Sequence, residues 1–139
     1  MLNVIVLVLL GVTMAIGLTV LLRWLKRRRP GTGFPTALVA THISVVVVGT
    51  ALWVIFMATD QVAWAWASLV VVLTGNGLGD LVLAGRWRLD VAASGRWAQG
   101  WLSAVKDLVH PRRRINAAHA VLAGVTSVTM LVATLRAAL

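Results

Sequence analysis

Three ionisable side chains stand alone inside otherwise apolar stretches of this sequence: His42, Asp80 and His119. An aspartate, lysine or arginine in the middle of a membrane span costs roughly 2.5–3.5 kcal/mol, and an intramembrane histidine is rare for related reasons. Each of the three therefore asks for a chemical role. Counting inward at about 1.5 Å per helical residue, His42 lies about 9 Å beyond Thr36 and Asp80 about 9 Å before Arg86. His119 lies about 7 Å beyond Arg114. All three fall in one layer, near the ends of their stretches that adjoin the basic residues. Asn76 stands one turn before Asp80, and Asn116 three residues before His119, each pair on one helical face.

Three chemistries suit that layer. The first is a b-type haem with His42 and His119 as axial ligands of the iron, since histidine is a standard axial ligand. Arg112, Arg113 and Arg114 then pair with the anionic propionates. Gly77, with its neighbours Gly75 and Gly79 and with Gly49, Ala118 and Gly124, lets a flat macrocycle approach the backbone. Asp80 would orient a histidine nitrogen from behind. The second is a proton or quinone site without haem, because histidine titrates near neutrality and Asp80 can hand it a proton. The third is a His/His/Asp site for zinc or non-haem iron. The bland reading stands beside them. In it the histidines hydrogen-bond a neighbouring helix, Asp80 pairs with Arg86 or Arg88, and the glycines only let helices pack closely.

Other chemistries are excluded. The chain has no cysteine, hence no disulfide, thiolate cluster or thiol nucleophile. All four of its acidic residues are aspartate. No phosphate-binding loop, nucleophile elbow or His-Glu-x-x-His zinc motif occurs. Gly75-x-Gly77-x-Gly79 has the wrong spacing for a dinucleotide fingerprint, and it falls inside an apolar run rather than after a strand.

The elements that must carry these residues follow from composition. Of 139 residues 60% are hydrophobic and 12% charged, far from the balance of a soluble domain and incompatible with disorder. Four stretches read as spans: Leu2–Leu22, Thr36–Thr59, Gln61–Gly85 and Ile115–Leu135. About 20 apolar residues cross a hydrocarbon core. The valine runs Val45–Val48 and Val70–Val72 suggest buried strands, but the stretches are far longer than a strand, and open strands leave their backbone unsatisfied in lipid. The first stretch lacks the basic leader of a cleaved signal peptide. The expected fold is an all-α membrane protein, a four-transmembrane-helix bundle forming one domain over residues 1–139.

Charge orients it. Net charge is +9, and every basic residue except Arg136 lies in one of the two loops after the first and third spans. The positive-inside rule makes those loops cytoplasmic and puts both termini outside. The arginines therefore serve topology and anionic lipids before they serve nucleic acid. Eleven arginines against two lysines, with abundant alanine and valine, fit a GC-rich bacterial genome and hence a bacterial plasma membrane. Asp60–Gln61 makes a tight outer turn. Trp53, Trp64 and Trp66 near that end, with Trp24 and Trp87 at the inner end, read as aromatic belts. In the second inner loop Trp97, Trp101, Ala104, Val105 and Leu108 recur at helical spacing, which predicts a short interfacial amphipathic helix from Ser94 to Val109. No internal repeat stands out, although both halves place a basic loop before a span with a histidine near its inner end.

In architecture alone this arrangement resembles small four-helix membrane cytochromes and the haem-bearing membrane anchors of respiratory dehydrogenases. The expected function is a small b-type haem-binding electron-transfer subunit that exchanges electrons with quinone or a partner redox protein. With almost no mass outside the membrane, it is expected to join a partner membrane protein or its own copies. A cofactor-free accessory or assembly subunit of a larger complex is the first alternative. A small transporter, with Asp80 and Asn76 lining a polar path, is the second.

Overall fold

The computed structural model describes residues 1–27, 36–91, 102, 103, 105, 106 and 114–139, with backbone alone at 27 and 86–91. Its long helices are α1 (Leu2–Arg27), α2 (Thr36–Thr59), α3 (Val62–Val91) and α4 (Arg114–Ala138). All four are long and apolar enough to cross a membrane, with mean hydropathy of 2.8, 2.2, 1.6 and 1.7 over their spanning windows. Their outward faces are valine and leucine: Val8, Val47, Val70 and Val128 are all about half exposed or more. An exterior that apolar suits lipid, not water. Four such helices suggest a multi-pass membrane protein.

Two helices run on past the apolar spans read from sequence. α1 runs to Arg27, five residues past Leu22, and α3 runs to Val91, six past Gly85. Arginine and lysine are good helix formers and are favoured near a helix C-terminus by its dipole, so α1 continues past its apolar span and ends within the basic run, where the sequence places its end. Leu102, Ser103, Val105 and Lys106 are helical, but the expected interfacial helix over 94–109 otherwise lies outside the described residues.

The turn between α2 and α3 is two residues long. The Asp60 amide donates to the Phe56 carbonyl at 2.8 Å, closing α2, and Asp60 has φ 53°. Aspartate tolerates this left-handed conformation because its short polar side chain can bond locally. The Trp64 amide then bonds the Gln61 carbonyl at 3.0 Å, opening α3.

Packing is most extensive between α2 and α3 and between α1 and α4, lesser between α3 and α4, and slight between α1 and α2. The helices thus stand at the corners of a square, with α2 diagonally across from α4. Ser68 Oγ donates to Gly49 O at 2.7 Å, and the imidazole of His42 reaches Gly75 O, so α2 and α3 are antiparallel. Thr50 with Met14 and Trp53 with Asn3 make α1 and α2 antiparallel. Thr13 with Thr126 and Gly17 with His119 do the same for α1 and α4. α2 and α4 therefore run in the same direction.

The dry core fills the half of the bundle nearer the Asp60 turn. Val6, Leu10, Trp53, Phe56, Ala65, Leu69, Val72, Met130 and Ala133 form it. Trp53 corrects the aromatic-belt expectation. It is fully buried, stacks edge-on against Phe56 with ring centroids 5.1 Å apart, and donates its Nε1 proton to Asn3 O at 3.1 Å. A buried indole needs such a partner. Trp64 and Trp66, 37% and 40% exposed, do lie on the outer surface.

Candidate functional site

Away from that core, in the half of the bundle toward the basic ends, the helices part around a cavity of about 610 Å³. That volume lies within the roughly 300–1,000 Å³ of small-molecule and cofactor sites. His42 and His119 both line it.

The two histidines are held by the same construction. His42 Nδ1 lies 2.8 Å from the carbonyl oxygen of Gly75 on α3, and His119 Nδ1 lies 3.1 Å from that of Thr13 on α1. A carbonyl oxygen only accepts, so Nδ1 carries the proton in both rings. In the neutral imidazole Nε2 then holds the lone pair. Neither Nε2 has a hydrogen-bond partner among the described residues. One turn beyond each carbonyl stands a glycine. A Cβ built on Gly79 would meet His42 Cε1 at 3.1 Å, and one on Gly17 would meet His119 Cε1 at 2.8 Å. Each ring is therefore fixed at one nitrogen and seated edge-on against bare backbone.

These matched contacts define an approximate two-fold axis along the bundle, exchanging α1 with α3 and α2 with α4. Under it Thr13 corresponds to Gly75, Gly17 to Gly79, and His119 to His42. The lining breaks the symmetry. Asn76 and Asp80 of α3 and Asn116 of α4 line the cavity on one side. Their counterparts, Met14, Leu18 and Val39, line the other. One wall is polar and its symmetry mate is apolar. Asn76 Nδ2 donates to Ser127 Oγ at 2.8 Å, and Ser127 Oγ donates onward to Ala123 O at 3.0 Å, which ties the polar wall across α3 and α4.

Not every residue singled out from sequence joins the cavity. Gly77 is exposed and a Cβ there would meet nothing within 4 Å. Its neighbour Gly79 lines the cavity instead, against the His42 ring. Asp80 lines the cavity from an exposed position, whereas Asn116 and Asn76 are half-buried. Arg114 is exposed in the first turn of α4; Arg112 and Arg113 lie outside the described residues. No group of three histidine, aspartate, glutamate or cysteine side chains positioned for a metal ion exists among the described residues, so the His/His/Asp reading has no cluster there.

Sequence reasoning passed over Thr13 and Gly17 as site residues, and it gave Gly79 to a macrocycle rather than to the His42 ring. Thr13 acts through its main-chain oxygen, which no residue type announces. Gly17 and Gly79 carry a usable signal only once their partner rings are known, because a glycine seating a ring and a glycine seating a helix look alike in sequence. No family model, no curated protein and no solved structure matches this chain.

Proposed function

We propose that this protein is a small b-type haem-binding electron-transfer subunit of a bacterial plasma membrane. One observation carries the reading. Two imidazoles from parallel, diagonally opposed helices are each anchored through Nδ1 to a neighbouring backbone carbonyl, and both line a single cavity. A backbone acceptor on the far nitrogen fixes the tautomer and ring orientation of a ligating histidine and raises its basicity. The donor set is what a six-coordinate haem iron takes: two neutral imidazole nitrogens. Val46, Val72 and Leu83 supply apolar walls for the macrocycle. Arg114, with the neighbouring Arg112 and Arg113 in the sequence, would hold propionates at the basic end.

When bound, the haem supplies a reversible one-electron couple at its iron. The rest is work for the chain. His42 and His119 would hold the iron, each through the Nε2 left free by its Nδ1 hydrogen bond. The apolar wall excludes water there, and the outer core of Trp53, Phe56 and Met130 closes one end of the bundle. The wall of Asn76, Asp80 and Asn116 presents amide donors and a carboxylate to whatever exchanges electrons at the site, either a quinone or a partner redox protein. The basic loops face the cytoplasm and anionic lipid, and both termini face outward. A partner membrane protein or a second copy completes the electron path.

The cofactor-free alternative leaves two rings oriented with no partner for either Nε2 among the described residues. The test is spectroscopic. Protein purified from cells supplied with haem is expected to show a Soret band and sharp reduced α and β bands. His42→Ala and His119→Ala should each remove the low-spin spectrum. A colourless preparation of full helicity would overturn the proposal.

A further inference from the structure

Gly17 and Gly79 are not ordinary helix-packing glycines. Gly49 and Gly75 are: a Cβ on either would strike a valine methyl of the opposing helix, Val72 Cγ2 at 2.6 Å or Val46 Cγ2 at 2.8 Å. Gly11, Gly77, Gly85 and Gly124 face open space. Gly17 and Gly79 alone among the described glycines have an imidazole as their nearest neighbour, through all three of its Cε1, Nδ1 and Nε2 atoms. The order of approach is the same in both, Cε1 first, then Nδ1, then Nε2. It places the same ring edge against the glycine in each half.

We propose that Gly17 and Gly79 are the positioning residues of the paired-imidazole site. Each sets the tilt of one ring, so that with Nδ1 tied to the carbonyl one turn earlier, Nε2 is delivered into the cavity. A hydrogen bond from Nδ1 leaves the ring free to swing about the bond direction. A second contact, at Cε1, removes that freedom. A Cβ would stand 2.8 Å from Cε1 at Gly17 and 3.1 Å at Gly79, too close for the ring to keep its place, so the ring would swing about its Nδ1 anchor and displace Nε2. The two-fold relation makes the action pairwise: Gly17 governs His119 and Gly79 governs His42. The contact at Gly17 is the tighter, so the displacement there is the larger.

This inference rests on the proposed cofactor role only for its purpose, so the experiment has a haem-free arm. Ring nitrogen and carbon resonances of the histidines are recorded on isotope-labelled protein in detergent, without haem, assigned with His42→Ala and His119→Ala. Gly17→Ala should shift the His119 ring signals and spare those of His42; Gly79→Ala should do the reverse; Gly11→Ala and Gly77→Ala should move neither. Thermal midpoints give a second measurement that survives a destabilised variant. The loss caused by Gly79→Ala should vanish in the His42→Ala background and persist in the His119→Ala background, with the opposite pairing for Gly17→Ala. Once the ring is gone, alanine should even stabilise, since it is the better helix former. Loaded with haem, each glycine variant should change the g-values of the low-spin ferric signal. Ring shifts that ignore the pairing, or midpoint losses indifferent to which histidine is removed, would overturn the proposal. Intact pairing in a wild type that takes up no haem would instead overturn the cofactor reading and leave the positioning one standing.

Discussion

At the scale of single residues, the bundle is governed by where small polar groups find partners. Ser68, Thr126 and Ser127 are buried and each donates to a carbonyl, at 2.7, 2.7 and 3.0 Å respectively. Thr134 is the exception. It is fully buried, and its hydroxyl has no partner among the described residues. Leaving a buried hydroxyl unpaired costs about 1–3 kcal/mol, while replacing it with a group of the same shape removes that cost. Thr134→Val should therefore raise stability by about 1 kcal/mol, read from thermal unfolding followed by circular dichroism in detergent. Ser68→Ala should lower it by about 0.5–1.5 kcal/mol, because it strips a buried hydrogen bond to Gly49 O. The histidines and Asp80 were legible in sequence at this scale, since an ionisable group in an apolar run is conspicuous. Their hydrogen-bond acceptors were not, because main-chain oxygens at Thr13 and Gly75 carry no side-chain signature.

At the scale of elements, the α2–α3 hairpin is the best-determined unit. Its turn is set by Asp60 at φ 53°, and its close packing by Gly49 and Gly75 against the valines of the facing helix. At Gly49 the obstruction includes the backbone nitrogen of Val72 at 3.3 Å from the would-be Cβ, and backbone cannot step aside. Gly49→Ala should cost about 1–3 kcal/mol by overpacking. Gly124→Ala, where the Cβ meets nothing, should be neutral or stabilise by up to about 1 kcal/mol. The contrast is measurable in one set of thermal melts. Helix existence and order were readable from the apolar runs, because length alone separates a span from a strand. Helix ends were less so: Arg23–Arg27 and residues 86–91 continue helices that hydropathy closes earlier. Trp53 shows the limit of a positional rule. Its place near the outer end suggested an interfacial belt, but its face of α2 turns inward onto Asn3 and Phe56.

At the scale of the whole molecule, the arrangement is two half-sites on a square of helices. A histidine near the inner end of a span in each half of the chain was visible in the sequence. Their matched depth already suggested a common site; that α2 and α4 stand diagonally across it was not readable, because it is a fact of packing order. The polar wall of Asn76, Asp80 and Asn116 against Met14, Leu18 and Val39 is likewise a three-dimensional fact. Topology is testable without background, since the chain has no cysteine. In intact cells Gln61→Cys should react with a membrane-impermeant maleimide, whereas Lys106→Cys should react only after permeabilisation; the reverse pattern would invert the proposed orientation. The central claim is that His42 and His119 ligate one iron together. Its most direct measurement is pulsed electron paramagnetic resonance of the ferric protein, with histidine nitrogens isotopically labelled and haem quantified per chain. One low-spin haem per chain is expected, coupled to two histidine nitrogens, with the low-spin signal lost in each single histidine variant. A low-spin signal surviving in the double variant, or a well-folded protein that takes up no haem, would contradict it.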